Sequence, residues 1–412
     1  MVKTADQNFV RKFNTALVLE MVRKEAPLSR ASISAQTGLN RSTVSSIVQE
    51  LLETGFLIET ELQGDKVGRP GILLRLNPNG GAFLGIEINV DYLAGVLVDF
   101  STKLLEKRFI PSDPTQGSEA ILTAVQHMIT DLVAQAEQRD LPVMGIGVGL
   151  PGVVDTNRGS LVYAPNLGWR DTPVRDMLQQ LFNLPVLVDN EANCAVLGEY
   201  RFGISQDVSD VVYLSANVGL GGGILSDGKI FRGSSGFASE IGHAVIDPAG
   251  PACGCGRFGC WETFVGTRAV VDLVKKRLPG SGSSLVGKSS VDFADVLSAA
   301  QSGDALALDV LGEVGRFLGI GITNLVNIFN PRQVVLGGTL GKAAELLLPQ
   351  ISSTVFGESL LSTHADLRLD ASALKEEACL LGAVSLVYDE VIRDPIGWIV
   401  KRQNSNHNRN ED

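Results

Sequence analysis

The chain has 412 residues, of which 44% are hydrophobic, and a formal net charge of −11 at pH 7. This length is enough for two or three domains with their own cores, and the acidic balance excludes a uniformly basic nucleic-acid coat. Residues 1–76 carry ten Lys and Arg against eight Asp and Glu, so phosphate binding is expected only there. Five cysteines without a secretory leader predict a cytoplasmic protein. No apolar run is long enough to span a bilayer, so no membrane partner is expected.

The first 76 residues predict a winged helix-turn-helix, here called the head. Apolar residues at helical spacing predict a first helix over 9–26. A short helix over 30–37, a glycine-containing turn and a helix over 41–54 then predict the helix-turn-helix. Residues 56–76 read as two strands around a glycine-rich tip, which is typical of a wing.

The outward face of the second helix in this pair is rich in short donors and acceptors that can reach phosphates and base edges in a major groove. Arg69, between Gly68 and Pro70 at the tip, is placed to enter a minor groove. The alternatives are a winged helix used only for protein contacts and a helical hairpin with a polar face. The predicted DNA-binding residues are Arg30, Asn40, Arg41, Ser42, Thr43, Ser45, Ser46 and Arg69.

After a polar joint at 76–81, the pattern changes to alternating strands and helices. Three strands are predicted over 81–110, followed by an amphipathic helix over 118–138 and a buried strand over 142–152. A further strand and helix are predicted over 186–202. This alternation indicates an α/β fold.

The second half of the chain continues the same alternation. A strand and a hairpin are predicted over 211–233, a long helix over 305–330 and a last helix over 372–392. The Gly- and Ser-rich stretch 278–290 predicts a mobile connection. The polar tail 399–412 predicts disorder.

Cysteines and one histidine form the most specific motif of the chain. Cys253, Cys255 and Cys260 lie within eight residues of one another, and His243 lies ten residues upstream. This spacing predicts a closed tetrahedral zinc site with three thiolates and one imidazole. Because four protein ligands leave no open position for water, the zinc is expected to be structural. The alternative is a tight loop with buried cysteines that bind no metal.

The sequence ASEIGH followed by CxCGxxGCxE resembles the ROK family of sugar kinases and sugar-responsive repressors, and the resemblance covers nearly the whole chain. It implies an actin-like (ribonuclease H-like) two-lobed fold, with a first lobe over 82–198 and a second lobe over 199–398. The second lobe would carry the zinc site and a C-terminal helix that returns to the first lobe. The resemblance implies that the sugar pocket is lined by Gly152, Asn166, Asn190, Glu191, Glu240, His243 and Glu262.

Two departures from the ROK kinases predict that the chain is not an enzyme and has no catalytic residues. In the kinases a glycine-rich phosphate loop follows the first strand of the sugar domain, whereas this chain reads GIEINVDYLAG. Bulk at Val90 and Tyr92 obstructs a nucleotide's phosphates, and Asp91 repels them. Glu191 replaces the catalytic aspartate, and its extra methylene misplaces the carboxylate for proton abstraction.

The resemblance therefore implies a repressor that binds operator DNA as a homodimer or dimer of dimers. A small sugar inducer would release it, and D-xylose is the first choice. The alternatives are an ATP-dependent ROK sugar kinase and a ROK repressor that responds to glucose or N-acetylglucosamine derivatives or to a protein partner. Trp169 either offers an apolar face to the sugar ring or supports the core, and both interpretations stay open. Cys194 and Cys379 are predicted to be small core residues.

Overall fold

The computed structural model describes residues 7–60, 72–358, 360 and 366–398. The chain divides into two compact units. Unit 1 comprises Met1–Pro151, Thr156–Asp189 and Ala383–Asp412, and unit 2 comprises Gly152–Asp155 and Asn190–Gly382. The chain therefore passes from one unit to the other at four points, after Pro151, Asp155, Asp189 and Gly382.

Helices and strands alternate through the part of the chain that the structure describes. The helices are α1 Gln7–Glu25, α2 Arg30–Thr37, α3 Arg41–Glu53, α4 Gly117–Glu137, α5 Val174–Phe182, α6 Glu191–Phe202, α7 Glu262–Val265, α8 Thr267–Arg277, α9 Phe293–Gln301, α10 Ala305–Phe329, α11 Ala344–Glu358 and α12 Ala378–Arg393. The strands are β1 Leu28–Ser29, β2 Leu57–Thr60, β3 Leu73–Leu76, β4 Ala82–Ile88, β5 Tyr92–Asp99, β6 Leu104–Pro111, β7 Val143–Leu150, β8 Val153–Asp155, β9 Ser160–Ala164, β10 Trp169–Thr172, β11 Val186–Asn190, β12 Val211–Ala216, β13 Leu220–Ser226, β14 Lys229–Ile230, β15 Gln333–Gly337 and β16 Arg368–Ala371. Among these described helices, none is long and apolar enough to cross a bilayer.

The head folds as three helices and a small sheet of order β1-β3-β2. Ser29 caps α2 by accepting a hydrogen bond from the Ser32 amide, and Gly38 ends that helix in the left-handed conformation. The predicted helices are confirmed to within two residues at each described end, and β2 pairs with β3 as the wing prediction required. The predicted tip, which includes Arg69, lies outside the described residues.

The sheet of unit 1 has the order β11-β7-β4-β5-β6. Strand β4 pairs with β7 in parallel and with β5 antiparallel, and β5 pairs with β6 antiparallel. Strands β4 and β7 are buried along their whole length, as expected for central strands covered on both faces. Trp169 is only 2% exposed, so the structure favours a core role for this side chain.

The head is packed onto the core of unit 1. Phe56, directly after α3, stacks on Phe100 at the end of β5, with ring centroids 4.8 Å apart. The side chain of Asn77 donates a 2.7 Å hydrogen bond to the Gly55 carbonyl, which fixes the joint after β3. From α12, Tyr388 meets Phe83 of β4 edge-on at 5.1 Å. The head and the C-terminal helix thus share one aromatic cluster.

Unit 2 contains a second five-stranded sheet, of order β14-β13-β12-β15-β16, in which β12, β15 and β16 are parallel. Its core includes Trp261, whose ring nitrogen donates to the Phe317 carbonyl at 2.9 Å. The stretch 278–290, for which the sequence predicts mobility, is attached to α10. The Ser284 amide donates a 2.7 Å hydrogen bond to Asp304, the N-cap of α10, and Leu285 is 2% exposed.

Candidate metal centre and ligand-binding cleft

The structure brings the four predicted metal ligands together in unit 2. The ligand atoms of His243, Cys253, Cys255 and Cys260 all lie within 4.8 Å of one another. The Sγ atoms of Cys255 and Cys260 are 3.6 Å apart, and Cys253 Sγ is 3.6 Å from His243 Nδ1. Sulfur ligands of a tetrahedral zinc ion with bonds of about 2.3 Å are roughly 3.8 Å apart. The donor set and spacing therefore fit a metal ion of this kind.

Local backbone geometry explains why the three thiols converge. Two isolated bridges, Val245 to Cys260 and Ala252 to Phe258, fold the loop back on itself. Gly259 has a φ of +69°, and a Cβ there would lie 1.6 Å from the Asp247 carbonyl oxygen. Only glycine fits this approach, and it brings the cysteine that follows into the cluster.

The electrostatics of the cluster also suit a cation. The backbone and guanidinium hydrogen bonds of Arg257 lower the pKa of the Cys255 thiol to about 6. Burial raises the pKa of Cys253 and of Cys260. On metal binding all three thiols would become thiolates, because the positive charge of the ion compensates their negative charge.

A small polar cleft lies beside the cluster in the same unit. The space inside it, part of which is open solvent, amounts to about 370 Å³. Its walls come from the start of β8, the N-terminus of α6, β13 and the loop before His243. The lining residues are Gly152, Val154, Asn190, Asn193, Gly221, Gly222, Gly236, Phe237, Ala238, Ser239 and Glu240.

Asn190 organises one wall of this cleft. Its Oδ1 caps α6 by accepting hydrogen bonds from the amides of Ala192 at 2.8 Å and Asn193 at 3.4 Å. Its Nδ2 donates to the Gly152 carbonyl at 2.8 Å. Both Gly152 and Asn190 are the first residues of unit 2 after a passage from unit 1. Two of the four passages between the units are thus hydrogen-bonded to each other at the cleft.

Three of the seven predicted sugar-binding residues line the cleft: Gly152, Asn190 and Glu240. Glu191 opens α6 and is half-buried, and Asn166 lies in unit 1 in the exposed turn between β9 and β10. The remaining two, His243 and Glu262, lie at the metal cluster.

Glu262 is closer to the metal ligands than the sequence suggested. Its Oε1 is 2.9 Å from Cys253 Sγ and 3.3 Å from His243 Nδ1. Desolvation by the surrounding protein, with a smaller contribution from Glu262, raises the pKa of Glu240, although His243 acts in the opposite direction. The two acids and the histidine therefore form one electrostatically coupled group.

Sequence reasoning missed several cleft residues. Asn193 lies one turn after Asn190 on α6, and Phe237 and Ser239 lie in the loop before His243. The doublet Gly221 and Gly222 lines the cleft through its backbone. The sequence offered no signal for Asn193, because the informative feature is that this polar side chain is only 7% exposed, and burial cannot be read from the sequence.

In the head, the first turn of α3 presents the predicted DNA-binding face. Asn40 is the N-cap of α3, and its Oδ1 accepts hydrogen bonds from the Thr43 amide and the Ser42 hydroxyl, both at 2.8 Å. Its side-chain oxygen is therefore used in capping. Thr43 is half-buried, and Arg30, at the start of α2, pairs with Glu59 of β2 at 2.9 Å. Among the described residues of the set, the exposed ones are Asn40, Arg41, Ser42, Ser45 and Ser46.

The loop after β4, in unit 1, is closed by its own side chains. Tyr92 donates a 2.8 Å hydrogen bond to Glu87 Oε1, and its ring stacks on Phe109 at 5.1 Å. The Asn89 amide donates to the Tyr92 carbonyl at 2.9 Å. The Asp91 amide donates to Asn89 Oδ1 at 3.4 Å. Two backbone amides that could face an anion are thus already used within the loop.

The sequence profile of the ROK family matches residues 83–390. The chain belongs to the ROK family. The profile of the IclR helix-turn-helix domain matches residues 14–60, which span α1 to β2 of the head. A xylose repressor of Caldicellulosiruptor bescii is 34% identical over 394 residues, which is 95% of this chain and 99% of that protein. Both the family and the helix-turn-helix predicted from the sequence are confirmed.

Solved ROK structures confirm the predicted two-lobed sugar-kinase fold. A ROK family transcriptional regulator, described as a homologue of the Escherichia coli Mlc protein, is 29% identical. It covers 95% of this chain and 99% of its own, with a TM-score of 0.83. A ROK glucokinase from Streptomyces griseus in complex with glucose and AMPPNP is 34% identical and covers 74% of this chain and 99% of its own, with a TM-score of 0.66.

Proposed function

We propose that this ROK protein is a DNA-binding transcriptional repressor that a small sugar releases from its operator, and that the sugar is D-xylose. The observation that carries the proposal is the combination of a helix-turn-helix head in unit 1 with a polar cleft in unit 2. The choice of xylose rests on the xylose repressor that matches the chain over nearly its full length.

For DNA binding, we propose that the N-terminal part of α3 enters a major groove. Arg41 is the exposed cation at the first position of that helix, next to the exposed hydroxyls of Ser42, Ser45 and Ser46. Arginine is the side chain best suited to bidentate contacts with guanine or phosphate. Asn40 would act indirectly by capping α3, and Arg30 would contact a phosphate only if it left Glu59. Thr43 and Arg69 complete the proposed DNA-contacting set.

Replacing Arg41 by alanine is expected to weaken operator binding roughly 5- to 100-fold, because a direct phosphate or base contact is lost. The measurement is fluorescence anisotropy on labelled operator DNA across a range of salt concentrations. Arg268→Ala is the matched control, since Arg268 is an exposed arginine of unit 2 that lies 4.0 Å from Asp272. Equal affinities for both variants would remove α3 from the proposed interface.

For sugar binding, we propose that Asn190, Glu191 and Glu240 hold hydroxyl groups of the sugar, with Gly152 close to the ring. Side-chain amides and carboxylates that converge on a small cleft suit a polyol, since they match several hydroxyl donors and acceptors at once. His243 would contact the metal through Nδ1 and keep Nε2 for the sugar. Glu262 and Asn166 belong to the same proposed set by their match to the family motif.

The positions of the passages between the units suggest how sugar binding reaches the head. The head packs on unit 1 through Phe56 and Phe100, whereas the cleft is built from unit 2. A sugar that contacts Gly152 and Asn190 acts at both points where the chain enters unit 2. Such a ligand changes the ratio of two conformations of the protein only if it binds one of them more tightly. The difference in binding free energy is commonly about 1–3 kcal/mol per site.

We further propose that the protein acts as a homodimer or dimer of dimers, because an operator with two half-sites needs two heads at a fixed spacing. Sugar binding would then change that spacing and release the DNA.

The absence of kinase activity is also part of the proposal. A phosphate loop needs free backbone amides that approach the anion closely. Here the amides of Asn89 and Asp91 are used within the loop, and the Tyr92 side chain is held by Glu87. The carboxylate of Asp91 adds repulsion of any phosphate. These contacts support loss of the nucleotide site, and Glu191 in place of aspartate supports loss of the catalytic base.

We propose that the metal is zinc and that its role is structural. His243, Cys253, Cys255 and Cys260 would hold it, and three thiolates with one imidazole are a donor set typical of closed zinc sites. A bound ion would fix the loop 243–260 and, through it, the orientation of His243 and Glu262 beside the cleft. No step of sugar recognition requires the metal as a Lewis acid.

A further inference from the structure

Helix α1 of the head contacts the C-terminal end of α12 through an ion pair. Lys12 Nζ lies 2.7 Å from Asp394 Oδ2, although the two residues are 382 positions apart in the chain. The Lys12 side chain is 56% exposed and that of Asp394 is 31% exposed. Both residues belong to unit 1. The head therefore contacts the end of α12 as well as the aromatic cluster of unit 1.

The carboxylate of Asp394 is held in place by the turn that follows it. Its Oδ1 accepts a 3.1 Å hydrogen bond from the Gly397 amide, and its carbonyl accepts a 3.0 Å hydrogen bond from the Trp398 amide. Trp398 is 8% exposed, and its ring nitrogen donates to the Met144 carbonyl on β7 at 2.9 Å. A surface ion pair usually contributes little, because both side chains must be ordered to form it. Here the acid is already ordered, so less conformational entropy is lost.

A second contact joins the same two helices. The guanidinium of Arg23, near the end of α1, forms two 2.8 Å hydrogen bonds with the Glu20 carboxylate. The Arg23 side chain is only 14% exposed, and it interacts electrostatically with Asp389 of α12. Two cations of α1 thus interact with two acids of the α12 segment, and a contact at two points resists rotation of α1 against α12.

The first turn of α12 lies in unit 2, where it packs on α6. A Cβ at Gly198 of α6 would lie 2.2 Å from the Ala378 carbonyl oxygen, so the two helix backbones are in direct contact. Helix α12 runs without interruption from Ala378 to Arg393. One continuous helix therefore connects the helix that begins at the cleft with the ion pair on the head.

We propose that Asp394 is a positioning residue through which α12 sets the orientation of the head, with Lys12 as its partner. This inference rests on the proposed sugar-binding and DNA-binding functions. A sugar bound at the N-terminus of α6 would act on the first turn of α12, and the ion pair at the other end would carry the change to α1. The factor by which D-xylose lowers operator affinity then depends on this contact.

The test measures operator binding by the full-length protein with and without D-xylose, using fluorescence anisotropy at fixed salt. Asp394→Lys and Lys12→Asp each place like charges side by side, and the double variant restores an opposite pair with the charges exchanged. Asp394→Asn removes the charge and can keep the hydrogen bond with Gly397, so it separates the ion pair from the fold of the C-terminal turn. Glu390→Lys is the matched control, because it makes the same change of charge on α12 at a residue that pairs with Arg393 of the same helix.

We expect Asp394→Lys, Asp394→Asn and Lys12→Asp to reduce the ratio of operator affinities without and with D-xylose by roughly threefold or more. The double variant should restore the ratio to within about twofold of the wild type, as expected for two residues that act as a pair. Affinity for D-xylose, measured by isothermal titration calorimetry, should stay within about twofold of the wild type in every variant, because the cleft is built from unit 2.

A wild-type ratio in Asp394→Lys and Asp394→Asn, or a double variant no better than the single variants, would overturn the role of Asp394 and leave the proposed function intact. An equal loss in Glu390→Lys would assign the effect to charge alone and would also overturn it. If D-xylose leaves operator binding of the wild type unchanged, the proposed function fails, and this inference fails with it.

Discussion

Replacing Cys255 by serine is expected to release the bound metal and to lower the melting temperature by roughly 5–15 °C, since metal-binding free energy contributes directly to folding at such sites. A serine hydroxyl is a poor zinc ligand, and the other two thiols, which burial keeps protonated, would no longer be held as thiolates. Metal content is measured by plasma mass spectrometry after dialysis, and melting by differential scanning fluorimetry.

Cys379→Ser is the control for this experiment. Cys379 is a buried cysteine of α12 outside the cluster, so its replacement changes a thiol to a hydroxyl without touching a proposed ligand. We expect this variant to retain the metal. Full metal occupancy in Cys255→Ser would show that the cluster does not hold the ion as proposed.

Replacing Gly382 by alanine is expected to destabilise the protein by about 1–3 kcal/mol or more, because the site has no room for a methyl group. A Cβ at Gly382 would lie 1.6 Å from the carbonyl oxygen of Cys194 on α6. Helices α6 and α12 therefore cross with their backbones in direct contact within unit 2. The measurement is the free energy of unfolding from urea titration.

Gly312→Ala provides the comparison. Gly312 lies inside α10, and nothing lies within 4 Å of the position its Cβ would take. Alanine there is expected to be neutral or to stabilise the helix by up to about 1 kcal/mol. Similar stability changes in the two variants would contradict the close packing of α6 on α12.

This packing also bears on coupling between the cleft and the head. Helix α6 begins at the cleft, with Asn190 as its N-cap, and α12 leaves unit 2 directly after Gly382. Farther along α12, Tyr388 contacts the aromatic cluster of unit 1 on which the head packs through Phe56. If the proposed sugar binding displaces α6, the displacement would therefore also move α12 near Gly382, where the chain leaves unit 2 for the last time.

The sequence predicted best those features that depend on residues close together in the chain. The helix-turn-helix follows from helical periodicity and the turn at Gly38, and the metal cluster from the spacing of three cysteines and His243. Both are set by local geometry, such as the N-cap at Asn40 and the left-handed glycine at position 259. The two-lobed fold required the family resemblance, because periodicity identifies strands but not their order in a sheet.

Features that depend on tertiary contacts could not be predicted. Ser239 and Phe237 line the same cleft as Asn193 only in the folded protein, and nothing in the sequence places their loop near α6. Leu285 looks like part of a mobile Gly- and Ser-rich connection until it is buried against the core of unit 2. Trp169 is open to two interpretations in the sequence, and only its burial in the structure favours the core role.

The most direct test of the account is fluorescence anisotropy of the full-length protein on labelled DNA from upstream of its own gene and its neighbours, titrated with pentoses and hexoses at fixed salt. The account predicts tight binding without sugar and release by D-xylose, with an affinity difference of roughly 5- to 150-fold between the sugar-free and sugar-bound protein. Release by another sugar would keep the repressor mechanism and change the inducer. DNA binding that no sugar alters would contradict the account and favour control by a protein partner.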